Sequence, residues 1–352
     1  MGRYLVTGGA GFIGSHITDQ LLDAGHEVVV LDSLDPGAHG GEPDYLRDEA
    51  EYLVGDVRDE DALPAELLGG LDGVTHQAAK VGLGTDFNDV AGYVAANDQG
   101  TATILRSLYR AGFRGRLVLA SSMVVYGEGR YRCVSHGVVP APPRAREELD
   151  AGRFEPACPE CGTELTPEPV PEDAPLDPRN VYAATKLHQE HLCASFARET
   201  ATPVTALRYH NVYGPRMPRD TPYAGVASIF RSRVAAGEPP LVYEDGGQLR
   251  DFVHVRDVAR ANVLALTGPQ PVPGAFNIAS GQPHTVGELA AELVSVGGGP
   301  APVTTGEYRL GDVRHVFASP RRAAQVLGFT AEVPFPEGMR EFATASLRQP
   351  PG

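Results

Sequence analysis

The stretch Thr7-Gly-Gly-Ala-Gly-Phe-Ile-Gly14 follows a short β-branched run, Tyr4–Thr7, and opens an amphipathic one, Ile13–Ala24. Strand, glycines and helix in that order make a turn whose backbone can approach a pyrophosphate closely, because glycine carries no Cβ and tolerates positive φ. The helix that follows aims its unpaired N–H groups and the positive end of its dipole at the same place. Gly8, Gly11 and Gly14 are the glycines this geometry uses, and Phe12 and Ile13 carry the chain into the helix. A second run, Glu27–Leu31, ends on Asp32, 18 positions after Gly14. A carboxylate there accepts hydrogen bonds from an adenosine ribose and repels a 2′-phosphate, which predicts NAD rather than NADP.

Further strand-like runs at Tyr52–Val54, Gly73–His76, Arg116–Ala120 and Val204–Leu207 alternate with helical periodicity at Asn97–Ala111 and Val181–Glu199. That alternation predicts an α/β, Rossmann-type, doubly wound parallel sheet. From about Arg208 short strands mix with helices such as Val255–Leu266 and Val286–Val294 and with many Pro and Gly turns, as in a smaller C-terminal lobe. The expected division is a dinucleotide-binding domain over 1–207 and a substrate-binding lobe over 208–347, with strands free to interleave. No internal repeat is visible. Between about 127 and 175 the periodicity dissolves into Pro, Gly, Arg and Glu, and an aperiodic insert of that length inside a domain usually has a function.

A chain of 352 residues with 42% hydrophobic content can bury a sizeable core. Its net charge of -15, from 45 acidic and 30 basic residues, argues against a nucleic-acid or anionic-membrane surface. An anionic ligand must then be held by a few local arginines. No apolar run approaches the length of a membrane span, and strand-like sequence begins at Arg3, so a cytoplasmic location is expected. Four cysteines in so long a chain do not make a disulfide framework; metal binding or plain packing is the expectation.

Tyr182-Ala-Ala-Thr-Lys186 stands at the start of a helix, where a spacing of four puts both side chains on one face. A phenol with pKa near 10 is a poor base at pH 7, and lowering it by about three units takes roughly 4 kcal/mol. A lysine cation about 4 Å away at an effective dielectric near 20 supplies about that much. The pair is therefore expected to make a phenolate. A tyrosine and a lysine on a solvated helix face would explain an isolated match equally well, and it is the combination of motifs that decides.

The glycine string, Asp32, Asp56-Val57, His76-Gln-Ala-Ala79, Asn97, Ser121-Ser122, Tyr182 with Lys186, Arg208-Tyr-His-Asn-Val-Tyr-Gly-Pro215 and Arg250-Asp-Phe-Val-His254 stand in one order along nearly the whole chain. In that order they resemble the extended short-chain dehydrogenases/reductases, the family of NAD-dependent nucleotide-sugar epimerases and dehydratases. The resemblance implies that Tyr182 is the acid/base, that Lys186 binds the nicotinamide ribose and that Ser122 hydrogen-bonds the reacting sugar hydroxyl. It also places Asp56 and Val57 about the adenine, Ala78, Ala79 and Asn97 along the cofactor, and Tyr209 near the nicotinamide. Asn211, Arg250 and Arg314 would hold a nucleotide-diphosphate sugar, and relatives of this kind form homodimers through two helices.

The loop after Ser122 narrows the chemistry. Family members that eliminate water across C5 and C6 resemble it but carry an Asp and a Glu there, since the reaction removes a carbon-bound proton and protonates a leaving hydroxyl. Here the two positions are Met123 and Val124, which move no proton. What remains well equipped is oxidation of a sugar hydroxyl and its reversal, as in a 4-epimerase acting on a dTDP- or UDP-linked hexose or deoxyhexose. A 4,6-dehydratase or 4-ketoreductase of the same fold is the nearest alternative, and a non-catalytic NAD-binding scaffold is the alternative from another class.

The insert carries Cys133-Val-Ser-His-Gly137 and Cys158-Pro-Glu-Cys-Gly162. Two ligand pairs, each with two residues between and glycine after, form the pattern of paired knuckles closing on a tetrahedral ion, and three thiolates with one imidazole suit zinc. Cys133, His136, Cys158 and Cys161 are the expected ligands of a structural zinc. A similar Cys/His-bearing insert occurs in a bacterial subgroup resembling rhamnose 4-epimerases and related deoxysugar enzymes. Cys193 falls on the Tyr182 helix and reads as a packed apolar residue.

Overall fold

The computed structural model describes residues 1–41, 43–82, 87–219 and 225–346; the expected end of the lobe at 347 lies outside the described residues. The first half runs β1 (Arg3–Thr7), α1 (Phe12–Asp23), β2 (Glu27–Asp32), β3 (Glu51–Val54), α2 (Ala65–Gly69), β4 (Gly73–His76), α3 (Val90–Tyr93), α4 (Gly100–Arg110) and β5 (Arg116–Ser122). The insert adds β6 (Arg130–Cys133), β7 (Gly137–Val139), α5 (Arg146–Asp150) and β8 (Thr166–Glu168), and α6 (Val181–Thr200) and β9 (Val204–Tyr209) follow. The remainder comprises β10 (Asn211–Tyr213), α7 (Val226–Ala235), β11 (Leu241–Val242), β12 (Leu249–His254), α8 (Val255–Thr267), β13 (Gly274–Ile278), β14 (Pro283–Thr285), α9 (Val286–Gly297), β15 (Val303–Thr304) and α10 (Phe335–Thr344).

The six strands expected from sequence form one sheet together with β13, in the order β13-β9-β5-β4-β1-β2-β3, and every pairing in it is parallel. A parallel sheet is covered on both faces, so its strands are apolar throughout; Leu5, Val6, Val30 and Leu31 are fully buried. One face is covered by α1 and α8, with Ile17 and Leu21 of α1 at zero exposure. Each such side chain contributes roughly 1.5–3 kcal/mol of burial. On the other face α4 and α6 supply Ile104, Leu108, Cys193 and Phe196. Cys193 is thus a core side chain, as read from sequence.

The chain crosses between sheet and lobe more than once. Strand β9 spans the 207/208 division, and β13 with α8 returns from the second half to pair with β9 and pack on α1. The lobe proper has its own core, with Phe230, Phe252, Leu289, Leu293, Met339 and Phe342 drawn from α7, β12, α9 and α10. It also holds the short sheets β10-β12-β14 and β11-β15.

The aperiodic insert is ordered rather than structureless. It folds as a three-stranded antiparallel sheet, β7-β6-β8, over a small core of Tyr131, Cys133, Val139, Ala141, Cys158 and Leu165. Its strands are three or four residues long, too short for a period to show in sequence.

Candidate active site

Only glycine lets the first turn close as it does. Gly8 has φ +69, and a Cβ there would stand 2.8 Å from the Ala78 amide nitrogen; a Cβ at Gly14 would come within 2.2 Å of the Gly8 carbonyl. The N-cap of α1 is Gly11, which has no side chain to cap the helix, and its first turn holds no acid. The first N–H groups of α1 are thus left for an anion. Asp32 accepts from the amides of Ala10 at 3.0 Å and Leu34 at 2.9 Å. Burial raises its carboxyl, but hydrogen bonds from His39, Leu34 and Ala10 prevail and hold it below the ordinary value. The uncapped helix start supplies the donors that a dinucleotide's pyrophosphate requires, and the ionised carboxylate beside it supplies the acceptor for its ribose.

The other expected cofactor residues line the same edge of the sheet. Asp56 accepts from the Arg58 amide at 2.8 Å and pairs with its guanidinium, and Val57 packs under Gly100, where a Cβ would meet it at 2.8 Å. The Ala78 amide donates to Thr7 Oγ1 at 3.2 Å, and Ala79 follows it in the same loop. Asn97 is fully buried and joins that loop to α6: its Oδ1 accepts from the Lys80 amide at 2.8 Å and its Nδ2 donates to Thr185 Oγ1 at 2.9 Å. Tyr209 is turned into the sheet, its hydroxyl bonded to Gln77 and Asn262, each at 3.1 Å.

A buried polar chain missed in the sequence runs beneath this edge. Thr7 Oγ1 meets His76 Nδ1 at 2.7 Å, His76 Nε2 meets Thr101 Oγ1 at 3.0 Å, and Gln189 Nε2 donates to Thr101 at 2.6 Å. Burial, then the nearby Lys186 charge, push His76 down to about 3, so it bridges as a neutral imidazole. His76 lies within the noted His-Gln-Ala-Ala motif; that it bonds Thr7 and Thr101 follows only from the fold.

Ser122, Tyr182 and Lys186 converge where β5 ends beside α6. Asn180 caps α6 by accepting from the Ala183 amide at 2.8 Å, which sets Tyr182 in the first turn and Lys186 one turn on. Ser122 opens the tight turn Met123–Tyr126, its Oγ accepting from the Val124 amide at 3.4 Å, and it stands close enough to the Tyr182 phenol to favour its ionised form. Lys186 Nζ donates to the Ala120 carbonyl at 2.9 Å and stands 5.9 Å from the Tyr182 ring centre.

The electrostatic expectation for this pair needs correction. Burial pushes Tyr182 up to about 12, with the Ser122 bond the opposing influence. Burial likewise pushes Lys186 down to about 8, against a smaller opposite pull from Asp98. The lysine is itself short of solvent and is committed to a backbone carbonyl, so the chain's own groups do not make a phenolate.

The serine pair divides its work. Ser121 points inward and donates to Glu190 Oε1 at 2.5 Å, while Arg208 grips the same carboxylate at 2.9 and 2.8 Å. Ser122, Met123 and Val124 remain partly exposed. Two acids flanking this corner are engaged elsewhere: Glu190 by Ser121 and Arg208, and Glu128 by the Arg314 amide at 2.5 Å.

Of the expected substrate residues, Asn211 has a buried Oδ1 with no hydrogen-bond partner among the described residues. Arg250 donates to the carbonyls of Leu249, Val313 and Arg314 at 2.9, 2.7 and 2.8 Å. Arg314 is used otherwise than expected. Its guanidinium, 2% exposed, meets Glu155 at 2.6 Å and both Glu244 and Asp245 at 2.8 Å. Three carboxylates around one cation leave no positive surplus to draw a diphosphate. The sequence reading missed Arg309, which lays its guanidinium 5.4 Å from the Tyr243 ring centre. Tyr243, Tyr308 and Arg309 line a cavity of about 540 Å³ closed on one side by Leu149 and Asp150 of the insert.

The four expected metal ligands come together as well. Cys133 Sγ and Cys158 Sγ each lie 3.5 Å from His136 Nδ1, Cys133 and Cys161 sulfurs are 3.6 Å apart, and all four donor atoms fall within 4.8 Å of one another. Bonds of about 2.3 Å to sulfur and 2.0 Å to nitrogen in a tetrahedron call for donor separations of roughly 3.5–3.8 Å. The Glu160 carboxylate stands 3.7 Å from His136 Nε2, as an outer partner that fixes a ligating imidazole does. Hydrogen bonds with the Thr163 side chain and backbone bring the Cys161 thiol down to about 6, toward the thiolate that a metal binds.

A glycine turn on a parallel sheet, an acid ending the second strand, and a tyrosine, lysine and serine at the sheet's carboxyl edge define a Rossmann-fold oxidoreductase-like enzyme. The chain belongs to the NAD dependent epimerase/dehydratase family, whose model matches residues 4–149 and 158–279. It is 33% identical over 349 residues to the dTDP-L-rhamnose 4-epimerase of Burkholderia thailandensis, covering 97% of this chain and 94% of that one. Among solved structures, UDP-glucose 4-epimerase of Thermus thermophilus in complex with NAD superimposes with a TM-score of 0.75 at 30% identity, covering 97% of each chain. The Thermotoga maritima UDP-glucose 4-epimerase with UDP-glucose gives 0.78 at 29%, again over 97% of each. Among the described residues, no helix is long and apolar enough to cross a membrane.

Proposed function

We propose that the protein is a nucleotide-sugar 4-epimerase that holds NAD throughout the reaction and acts on a dTDP- or UDP-linked hexose or deoxyhexose. The observation that carries this reading is the composition of the catalytic corner: a phenol beside Ser122, a lysine behind it, and Met123 and Val124 where an elimination would need an acid and a base. Inversion at C4 by oxidation and reduction needs one group that takes and returns a proton.

Gly8, Gly11 and Gly14, the start of α1 and Asp32 would hold the dinucleotide, with Asp56, Val57, Ala78, Ala79 and Asn97 along it. When bound, oxidised NAD supplies a hydride acceptor and a positive ring near the phenol. That charge answers the burial that keeps Tyr182 near 12. Tyr182 then takes the proton of the sugar's C4 hydroxyl and returns it once the ring has turned over. Ser122 hydrogen-bonds the same oxygen and stabilises the phenolate. Lys186, fixed on the Ala120 carbonyl, sets the depth of the nicotinamide ribose. Asn211 offers the unpartnered oxygen of its side-chain amide to the substrate, and Arg250 and Arg309 would hold its diphosphate.

In the insert, Cys133, His136, Cys158 and Cys161 hold a structural zinc; four protein ligands leave no open coordination position. We also expect a homodimer, by analogy with relatives. The test is to purify the protein and incubate it with dTDP- and UDP-sugars in D2O without added cofactor. The expected result is C4 inversion with tightly held NAD and no deuterium in the product. Turnover that occurs only with added NADH and consumes it, or a 4-keto-6-deoxy product carrying solvent deuterium, would replace this reading with a reductase or a dehydratase.

A further inference from the structure

We propose that Glu155 of the insert is a positioning residue for nucleotide-sugar binding, acting through Arg314 and His315. The proposal rests on the reading above that a nucleotide sugar occupies the lobe. Glu155 lies in the short stretch between the two segments that match the family model, 4–149 and 158–279. One of its oxygens accepts from Arg314 Nε and Nη2 at 2.8 and 2.6 Å, and the other meets His315 Nε2 at 2.7 Å. His315 Nδ1 accepts from the Leu249 amide at 3.0 Å, which leaves Nε2 as the nitrogen that donates to Glu155.

The insert holds the same segment by its backbone. The Arg314 amide donates to Glu128 and the His315 amide to the Tyr131 hydroxyl, at 2.5 and 3.0 Å. Tyr131 and Cys133 stand two residues apart on β6 and are both buried in the insert's core, so the metal cluster and this anchor share one face of one strand. On the opposite side, Arg250 closes on the carbonyls of Val313 and Arg314, and the Val316 amide donates to the Leu249 carbonyl at 3.2 Å. The segment 312–316 is therefore clamped between the insert and β12, a few residues beyond Arg309 and directly under Arg250. Both cations offered to a diphosphate depend on where it sits.

Charge excludes the simpler use of Arg314 as a ligand. Glu155, Glu244 and Asp245 surround it, and Arg144 pairs with Glu244 at 2.9 Å. A diphosphate arriving there would meet more negative charge than positive. Glu155 thus works as a clamp on the segment, with Arg314 and His315 as the handles.

The experiment compares Glu155→Ala and Glu155→Gln with the wild-type full chain, all zinc-loaded, measuring UDP-glucose and dTDP-glucose binding by calorimetry together with kcat, KM and bound NAD. Losing a charge-assisted bond to two handles is expected to weaken nucleotide-sugar binding about tenfold in Glu155→Ala. NAD content, zinc content and kcat should stay within about twofold, and Glu155→Gln, which keeps a carbonyl acceptor, should recover most of the loss. Tighter binding in the variants would show instead that Glu155 competes with the diphosphate for Arg314, and unchanged binding would show that the contact only ties the insert down; either overturns the proposal. A wild-type protein that binds neither nucleotide sugar defeats the functional reading itself, and this proposal with it.

Discussion

The catalytic corner and the insert–lobe junction are built on opposite principles. At the corner, Ser122, Tyr182 and Lys186 come from the end of one strand and the first turns of one helix, and burial is the main influence on both titrating groups. At the junction, Arg144, Arg314, Glu155 and Glu244 from four separate stretches neutralise one another in ion pairs. The corner keeps its groups poised because little around them is charged, so a bound positive ring changes the phenol's proton affinity substantially. The junction is saturated, and an added charge there changes position more readily than protonation. A reacting centre needs the first arrangement and a clamp needs the second.

The largest effect should appear at the corner. Tyr182→Phe removes the phenol beside Ser122 and should lower kcat about 10³-fold, within the range of general acid–base catalysis, while NAD stays bound. A fall below about tenfold would take the acid/base role from Tyr182 and break the contrast. The serine pair sharpens it: Ser122→Ala should cost roughly 10²-fold in kcat with little change in melting temperature. Ser121→Ala should do the reverse, leaving kcat nearly intact and lowering stability by about 1–3 kcal/mol, because Glu190 loses one of its buried partners. Steady-state kinetics and thermal melts on the two variants decide it.

The junction side is tested through the metal. Elemental analysis should find one zinc per chain. Chelation should speed amide exchange in β6, β7 and the 312–316 segment while leaving the amides of β1, β4 and β5 protected, since the main sheet has its own core. Protection lost evenly across the whole chain would mean that the insert is not a separable unit.

How far each region could be read from sequence follows the same contrast. The glycine turn, Asp32 and the Tyr182–Lys186 spacing are local patterns on periodic elements, so strand, helix and face were legible, and the Cys/His cluster of the insert was legible as two short pairs. Glu155, Glu244 and Arg314 are brought together from positions about 160 and 70 residues apart. No spacing rule connects an acid in an aperiodic insert with an arginine at the far end of the chain. The motif around Arg314 was visible, but its neighbours were not, and it is the neighbours that decide whether an arginine is free for a ligand. The phenol's acidity was misjudged for a related reason: a Coulomb estimate at a fixed distance contains no term for burial, and burial dominates here.

The smallest effect tests that last point. A buried base whose folded pKa is depressed, about 8 for Lys186 against an ordinary 10.5, destabilises the fold at any pH where the unfolded lysine is protonated, and stability rises with pH wherever the unfolded chain binds more protons. The cost is fully present below pH 8 and disappears as pH rises from 8 to 10.5. Lys186→Met should therefore raise stability by about 1–3 kcal/mol at pH 7, allowing for the lost bond to the Ala120 carbonyl. The difference in denaturation midpoint between variant and wild type should shrink steadily as the buffer is taken to pH 10.5. Lys186 also holds the nicotinamide ribose in the reading above, so the comparison is made on the NAD-stripped protein, where only burial and the Ala120 bond are at stake. If the variant is less stable at pH 7 and the gap does not change with pH, the lysine is held by something stronger than one backbone carbonyl, and the corner is no longer the sparsely charged pole of the comparison.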